Sequence, residues 1–263
     1  MAKTSKPLLP GKRILITNDD GILAPGLKVL ERIARQLSDD VWIVAPEQEN
    51  SGAGHSLTLT MPLRLRRVSA RKFAVQGTPT DCVMMALNQV VGDRRPDLLL
   101  SGVNRGANMG EDVTYSGTIA AAMEGTLLRV PSIALSQSFA NRKILHWPTA
   151  EEHAPDLVRR LVQQGWPEDV LININFPDVP SAQVKGIEVC RQGRRDISEL
   201  QIEQRIDARE QAYYWLGFRP RKGTPKRGTD LSVVENGGIA VTPLHLDLTE
   251  KRTLKTLKAA LNA

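Results

Sequence analysis

The sequence predicts an α/β fold: a mostly parallel sheet with helices on both faces, followed by an extended C-terminal subdomain. Three observations carry this expectation. Apolar runs of strand length alternate with segments whose apolar residues recur at helical spacing. The first strands end abruptly in polar loops rich in Gly, Asn and Asp, as strands of an open parallel sheet do at their carboxyl edge. Beyond Val179 the alternation stops. With 263 residues, 41% of them apolar, the chain is long enough to bury a sizeable core. The division that follows is an N-terminal extension at 1–12, a core at 13–179 and a C-terminal extension at 180–263.

The first strand is Arg13-Ile14-Leu15-Ile16-Thr17, and it runs into Asn18-Asp19-Asp20-Gly21. Pro25 then suits a first helical turn, and Leu27, Leu30, Ile33, Ala34 and Leu37 follow as one apolar stripe. Val41 to Ala45 is the second strand, stopped by Pro46 before a polar loop that reaches His55. Strand, helix and strand in that order make a βαβ unit and hence parallel pairing. Leu57–Val68 and Phe73–Gln76 read as two extended pieces, a hairpin or an edge excursion. Thr78-Pro79-Thr80-Asp81 opens a second helix. Asp97–Ser101 is a third buried strand, and Gly102–Gly110 its loop.

Ser116-Gly117-Thr118 leads into the Ala-rich helical run Ile119–Glu124. Pro131–Ser136 and Val170–Asn175 are further strands, with a helix marked by Leu157, Val158, Leu161 and Val162 between them. Residues 180–235 mix short extended pieces such as Tyr213–Phe218 with charged connections, which suits an arm or an oligomerisation element. Ile239–Thr242 reads as a late strand and Thr253–Ala263 as a terminal helix.

Composition narrows the function. The net charge of +6 comes from basic residues scattered along the chain, and three Tyr, four Phe and four Trp offer no obvious base-stacking platform, so nucleic-acid binding is not favoured. The two cysteines, Cys82 and Cys190, lack the neighbours of a zinc site and fit free thiols in a reducing cytoplasm. No apolar run is long enough to span a membrane.

The loops that follow the parallel strands bring oxygen donors to one edge: Asp19 and Asp20 from the first, Asn50 and Ser51 from the second, Asn104 and Asn108 from the third. Carboxylate, hydroxyl and amide oxygens suit hard cations such as Mg²⁺ or Mn²⁺. Asn-Asp-Asp-Gly is equally ordinary turn chemistry, and each Asn taken singly fits a turn better than a ligand. Tyr115-Ser116-Gly117-Thr118 supplies hydroxyls, free backbone N–H groups and the positive end of a helix dipole, which together bind phosphate; simple N-capping by Ser116 explains the same residues.

Other motifs fail. Ser51-Gly52-Ala53-Gly54-His55-Ser56-Leu57 starts like a dinucleotide fingerprint but has Leu57 where the third glycine belongs, and there is no P-loop. No Asp stands two places after Asp19 or Asp20, as an aspartyl-phosphate phosphatase requires. No serine has the Gly-x-Ser-x-Gly context of a hydrolase nucleophile. Of the four histidines, His55 alone lies in a candidate loop, a weak general acid or base.

Asn18-Asp19-Asp20-Gly21, Ser51-Gly52, Ser56-Leu57-Thr58-Leu59, Gly77-Thr78-Pro79-Thr80-Asp81-Cys82, Ser101 to Asn108 and Tyr115-Ser116-Gly117-Thr118, in that order, closely resemble the SurE family of survival-protein nucleotidases. The likeness runs from Arg13 to Thr249 and is weakest between Val179 and Arg227. It implies a Rossmann-like core and metal-dependent hydrolysis of nucleoside 5′-monophosphates, extending to 3′-nucleotides and short polyphosphate. It implies Asp19, Asp20, Ser51 and Asn104 as metal ligands, with Asp19 and Asp20 the catalytic pair, and Ser116, Gly117 and Thr118 as the phosphate cradle; Asn108 is expected to bind phosphate or substrate beside them. It further implies a C-terminal extension exchanged in a homodimer, and in some members a tetramer. A non-catalytic nucleotide-sensing module is the alternative.

Overall fold

The computed structural model describes residues 6–141, 144–194, 197–220 and 224–261. A single nine-stranded sheet forms the body. Its strands are β1 (Arg13–Thr17), β2 (Asp40–Pro46), β3 (Arg64–Ser69), β4 (Lys72–Gln76), β5 (Leu98–Arg105), β6 (Ser132–Gln137), β7 (Val170–Phe176), β8 (Ile187–Val189) and β11 (Ile239–His245), in the order β3-β4-β2-β1-β5-β6-β7-β11-β8. Pairing is parallel from β4 through β7, while β3 and β11 run antiparallel to β4 and β7. A separate antiparallel ribbon is made by β9 (Ile197–Ile206) and β10 (Ala212–Pro220).

The central strands are buried on both faces, and their side chains divide by the two-residue strand period. Ile14 and Ile16 point to one side, where they meet α1 (Pro25–Leu37) and α4 (Trp147–Gln164); Leu15 points to the other, towards α2 (Pro79–Met85). Leu98 and Leu100 of β5 join the first side, Leu99 the second. α3 (Gly117–Leu127) packs beside α2, its Ile119 and Ala122 against Ala134 of β6. The short α5 (Asp230–Glu235) packs near β11, and α6 (Lys251–Leu261) ends the described chain.

Local chemistry fixes the helix starts. Pro25 occupies the first turn of α1, and Leu27, Leu30, Ile33 and Leu37 are fully buried on one stripe. α2 opens on a capping box: Thr78 accepts from the Asp81 amide at 3.1 Å, and Asp81 accepts from the Thr78 amide at 2.8 Å.

Two sequence expectations are corrected. The extended piece expected from Leu57 becomes strand only at Arg64, because Pro62 cannot donate to a ladder; Thr58 instead bonds Asp81 at the foot of α2. The third strand does not stop at Ser101: a bulge between Ser101 and Asn104 lets β5 continue to Arg105 while it stays paired with β6, so Asn104 sits on a strand tail rather than in a free loop. The expected late strand is present as β11, which fills the register of β7 from Ala240 to His245 and carries β8 outside it.

The chain enters the sheet at β1 and builds outwards through β2 and β4, then returns to the centre at β5 and builds the other way through β6 and β7. Carboxyl ends of β1 and β5 therefore flank the topological switch point, where open α/β sheets bind their ligands.

Candidate metal and phosphate site

Asp19 follows β1 at that switch point and is 4% exposed. Asn18 closes the turn behind it, its Nδ2 donating to the Gly21 carbonyl at 3.0 Å. Asp19 Oδ1 accepts from the Thr118 hydroxyl of α3 at 2.5 Å. Asp20, only partly buried, accepts from the Arg105 backbone amide at 3.3 Å. The β1 loop is thus held by α3 on one side and by β5 on the other.

The second loop is latched onto the first: the Asn50 amide donates to the Asp19 carbonyl at 2.8 Å. Ser51 stands exposed beyond it and donates to Glu49 Oε1 at 2.8 Å. Further along, the Gly54 amide donates to the Tyr115 carbonyl at 3.2 Å, and His55 Nε2 lies 2.9 Å from Glu124 Oε2 on α3. His55 therefore straps the loop to the helix. Asn104, on the tail of β5, uses Nδ2 on the Gly106 carbonyl at 2.9 Å, which leaves its side-chain oxygen for another partner. Asp19, Ser51, Asn104, Asn108 and Ser116 all line one open cleft.

Asn108 is built into the wall of that cleft. Its Nδ2 donates to Ser136 Oγ at 2.8 Å, its backbone amide to Asn175 Oδ1 at 2.8 Å, and its carbonyl accepts from Asn173 and Asn175. Only its side-chain oxygen is free of this buried network. At the start of α3, Ser116 Oγ accepts from the Ile119 amide at 3.1 Å, so capping occurs, while the Gly117 and Thr118 amides belong to the unsatisfied first turn. Gly117 touches the carboxylate site: a Cβ there would lie 2.8 Å from Asp19 Cβ and 3.1 Å from Pro79 Cγ, so only glycine lets the helix approach this closely. Thr118 contributes its hydroxyl to Asp19, and its backbone amide is what it can offer an anion.

Ionisation in this corner is costly. Burial lifts Asp19 from an ordinary 3.8 to about 6; the Thr118 bond pulls it down and the neighbouring Asp20 pushes it up. Asp20 is raised too, first by burial, against the Arg105 amide, with Glu49 adding to the rise and the Arg105 charge opposing it. Two adjacent carboxylates that resist ionisation are what a divalent cation relieves, and the buried Asn18 Oδ1 beside them has no hydrogen-bond partner among the described residues. The donors gathered are all oxygens; no group of three or more His, Cys, Asp or Glu placed to hold a metal ion by themselves occurs among the described residues. The set fits a hard divalent cation that also keeps room for an anionic oxygen.

Several participants are not legible in the local sequence. Glu49 has a weak signal, two residues before Ser51; the Arg105 amide, the Thr118 hydroxyl and the Asn173–Asn175 pair have none, since their partners are set by packing.

Sheet order and site define the class: a Rossmann-like α/β protein with a cluster of oxygen donors and a helix N-terminus meeting at the switch point. The model of the family described as survival protein SurE matches residues 14–199. The chain is 58% identical over 263 residues to the 5′-nucleotidase SurE of Parvibaculum lavamentivorans, covering 99% of this chain and 94% of that protein. It is 58% identical over 248 residues to the protein of the same name from Paramagnetospirillum magneticum, covering 94% and 95%. The crystal structure of SurE protein from Aquifex aeolicus superposes with a TM-score of 0.82 at 39% identity, covering 94% of this chain and 99% of that one. This chain belongs to the SurE family.

Proposed function

We propose that this chain is a metal-dependent 5′-nucleotidase that hydrolyses nucleoside 5′-monophosphates to nucleoside and inorganic phosphate, with 3′-nucleotides and short polyphosphate as further substrates. One observation carries the reading: the buried Asp19 carboxylate and the free N-terminus of α3 share one corner, packed together at Gly117. A cation and a phosphate bound there would be immediate neighbours. Relatives named 5′-nucleotidase SurE over nearly the full chain support it.

Asp19, Asp20, Ser51 and Asn104 would hold the cation, Mg²⁺ or Mn²⁺. Bound there, it would supply Lewis-acid charge for a phosphoryl oxygen and an activated water near neutral pH. The chain does the rest. Thr118 fixes the Asp19 carboxylate, the Arg105 amide fixes Asp20, and the Gly117 and Thr118 amides with the α3 dipole stabilise charge on the phosphoryl oxygens. Ser116 caps the helix with one lone pair and can donate its proton to a phosphate oxygen. Asn108 stiffens the opposite wall.

The working form is proposed to be a homodimer or homotetramer in the cytoplasm. Free, buried Cys82 and Cys190 support a reducing compartment, and no described helix is long and apolar enough to cross a membrane.

Phosphate release from a panel of nucleoside monophosphates with Mg²⁺ or Mn²⁺, then with chelator and with Asp19→Asn, tests the reading. Metal-dependent release lost in the variant is expected. Metal-independent release, or none from any phosphoester, overturns it; tight nucleotide binding without turnover marks a sensing module instead.

A further inference from the structure

We infer that Phe139, with the Arg105 guanidinium over its ring, is the platform on which the nucleobase of the substrate stacks. This rests on the nucleotidase reading and assigns the part of the site that the metal and phosphate groups leave unexplained.

Phe139 lies in the loop after β6 and lines the same cleft as Asp19 and Ser116. It belongs to none of the apolar clusters that make the core, so its ring has no packing role there among the described residues. Its backbone is nonetheless fixed. The Ser138 amide donates to the Phe176 carbonyl at 2.9 Å and the Ala140 amide to Asp178 Oδ2 at 2.7 Å, one pin on each side. A partly exposed aromatic ring held by a pinned backbone in a wet cleft is preorganised for a flat ligand.

The metal site and this ring are joined through Asn104, Arg105 and Gly106. The Arg105 backbone amide bonds Asp20, and its guanidinium lies 5.8 Å from the centre of the Phe139 ring. A Cβ on Gly106 would lie 3.6 Å from Phe139 Cε1 and 3.8 Å from Asn104 Nδ2, so a single glycine separates ring edge from candidate ligand. Tyr115, the other aromatic in the cleft, directly precedes Ser116 and so stands at the phosphate end.

Stacking is tolerant of base identity because every base has a π-face, and the guanidinium extends the platform by a cation–π contact. The expected specificity is therefore for a base rather than for one base, with purines favoured by their larger face.

The test compares wild type with Phe139→Ala on adenosine 5′-monophosphate, cytidine 5′-monophosphate and the base-less ribose 5-phosphate, and measures adenosine binding by calorimetry. KM for adenosine 5′-monophosphate should rise roughly 5- to 150-fold, with kcat changed by no more than about twofold. The cytidine substrate should lose less, ribose 5-phosphate nothing, and adenosine should bind more weakly by the same factor as the KM change. Phe139→Trp should restore both readouts. Equal loss on ribose 5-phosphate, no change on the adenosine substrate, or base-dependent loss in Tyr115→Ala instead would overturn the assignment. If wild type releases phosphate from none of the three, the nucleotidase reading fails, and adenosine binding by wild type and Phe139→Ala still decides the platform.

Discussion

The hydroxyl of Thr118 donates to Asp19 Oδ1 across 99 residues of chain, tying the first turn of α3 to the loop after β1. Asp19 is almost wholly buried, so this bond is a large part of what replaces water around its carboxylate. Thr118→Val keeps the shape and removes the donor. A loss of about 1–3 kcal/mol is expected, the usual cost of leaving a buried acceptor unmet. Urea denaturation of the cation-free protein measures it, and calorimetric titration with Mn²⁺ should show weaker binding. Thr118→Ser should retain both. Equal stability and affinity in the valine variant would show that the bond positions nothing.

A pH dependence follows from the same carboxylate. Its folded pKa, about 6, lies above the ordinary 3.8, so between those values the native state holds more protons than the unfolded one. The contribution to stability is full below the lower value and is lost as pH rises through the upper one, a difference of about 3 kcal/mol in the absence of a cation. In chelator, Asp19→Asn should therefore be more stable than wild type at pH 7.5 and match it near pH 4. Divalent cation should raise the wild-type melting temperature more at pH 7.5 than at pH 5, and the variant's little at either. Parallel wild-type and variant stability curves across this range would contradict the assignment.

Gly117→Ala tests the packing of helix against carboxylate. The added methyl would meet Asp19 Cβ at 2.8 Å and Pro79 Cγ at 3.1 Å, so either α3 or the β1 loop must move. Overpacking of this kind costs about 1–3 kcal/mol, and a displacement near 1 Å of catalytic groups about 10²-fold in rate. The expected signature is a fall in kcat much larger than the fall in stability. Wild-type turnover in this variant would show that the close approach is structural only.

Much of this arrangement is written locally. The apolar runs that end in Asn18-Asp19-Asp20-Gly21 and Ser101-Gly102 announce buried strands whose carboxyl ends carry polar groups, and the Thr78–Asp81 and Ser116 caps are readable because their partners lie three residues away. What escapes is set by packing between distant segments. Nothing near Thr118 says that its hydroxyl turns to Asp19 rather than to a ligand, and nothing near Asn108 reveals Asn173 and Asn175 waiting on β7. The return of β11 to the sheet is equally silent, because Ile239–Thr242 is too short a run to disclose which edge it joins.

The β9–β10 ribbon presents Ile202 opposite Leu216, with Tyr214 and Ile206 on the same face, all exposed. A two-stranded ribbon is marginal in water, and an exposed apolar strip on unpaired edges marks an interface. The proposed occupant is a second copy of this chain, which makes the ribbon the arm of a homodimer or of the dimers within a tetramer. Ile202→Ser combined with Leu216→Ser removes the apolar pair at the centre of that face without touching the cation or phosphate groups. Sedimentation velocity should show wild type as a dimer or tetramer and the double variant shifted to monomer, or to dimer from tetramer, with the shift reversed at high protein concentration. A monomeric wild type, or a double variant that assembles as wild type does, would show that the ribbon serves some other purpose.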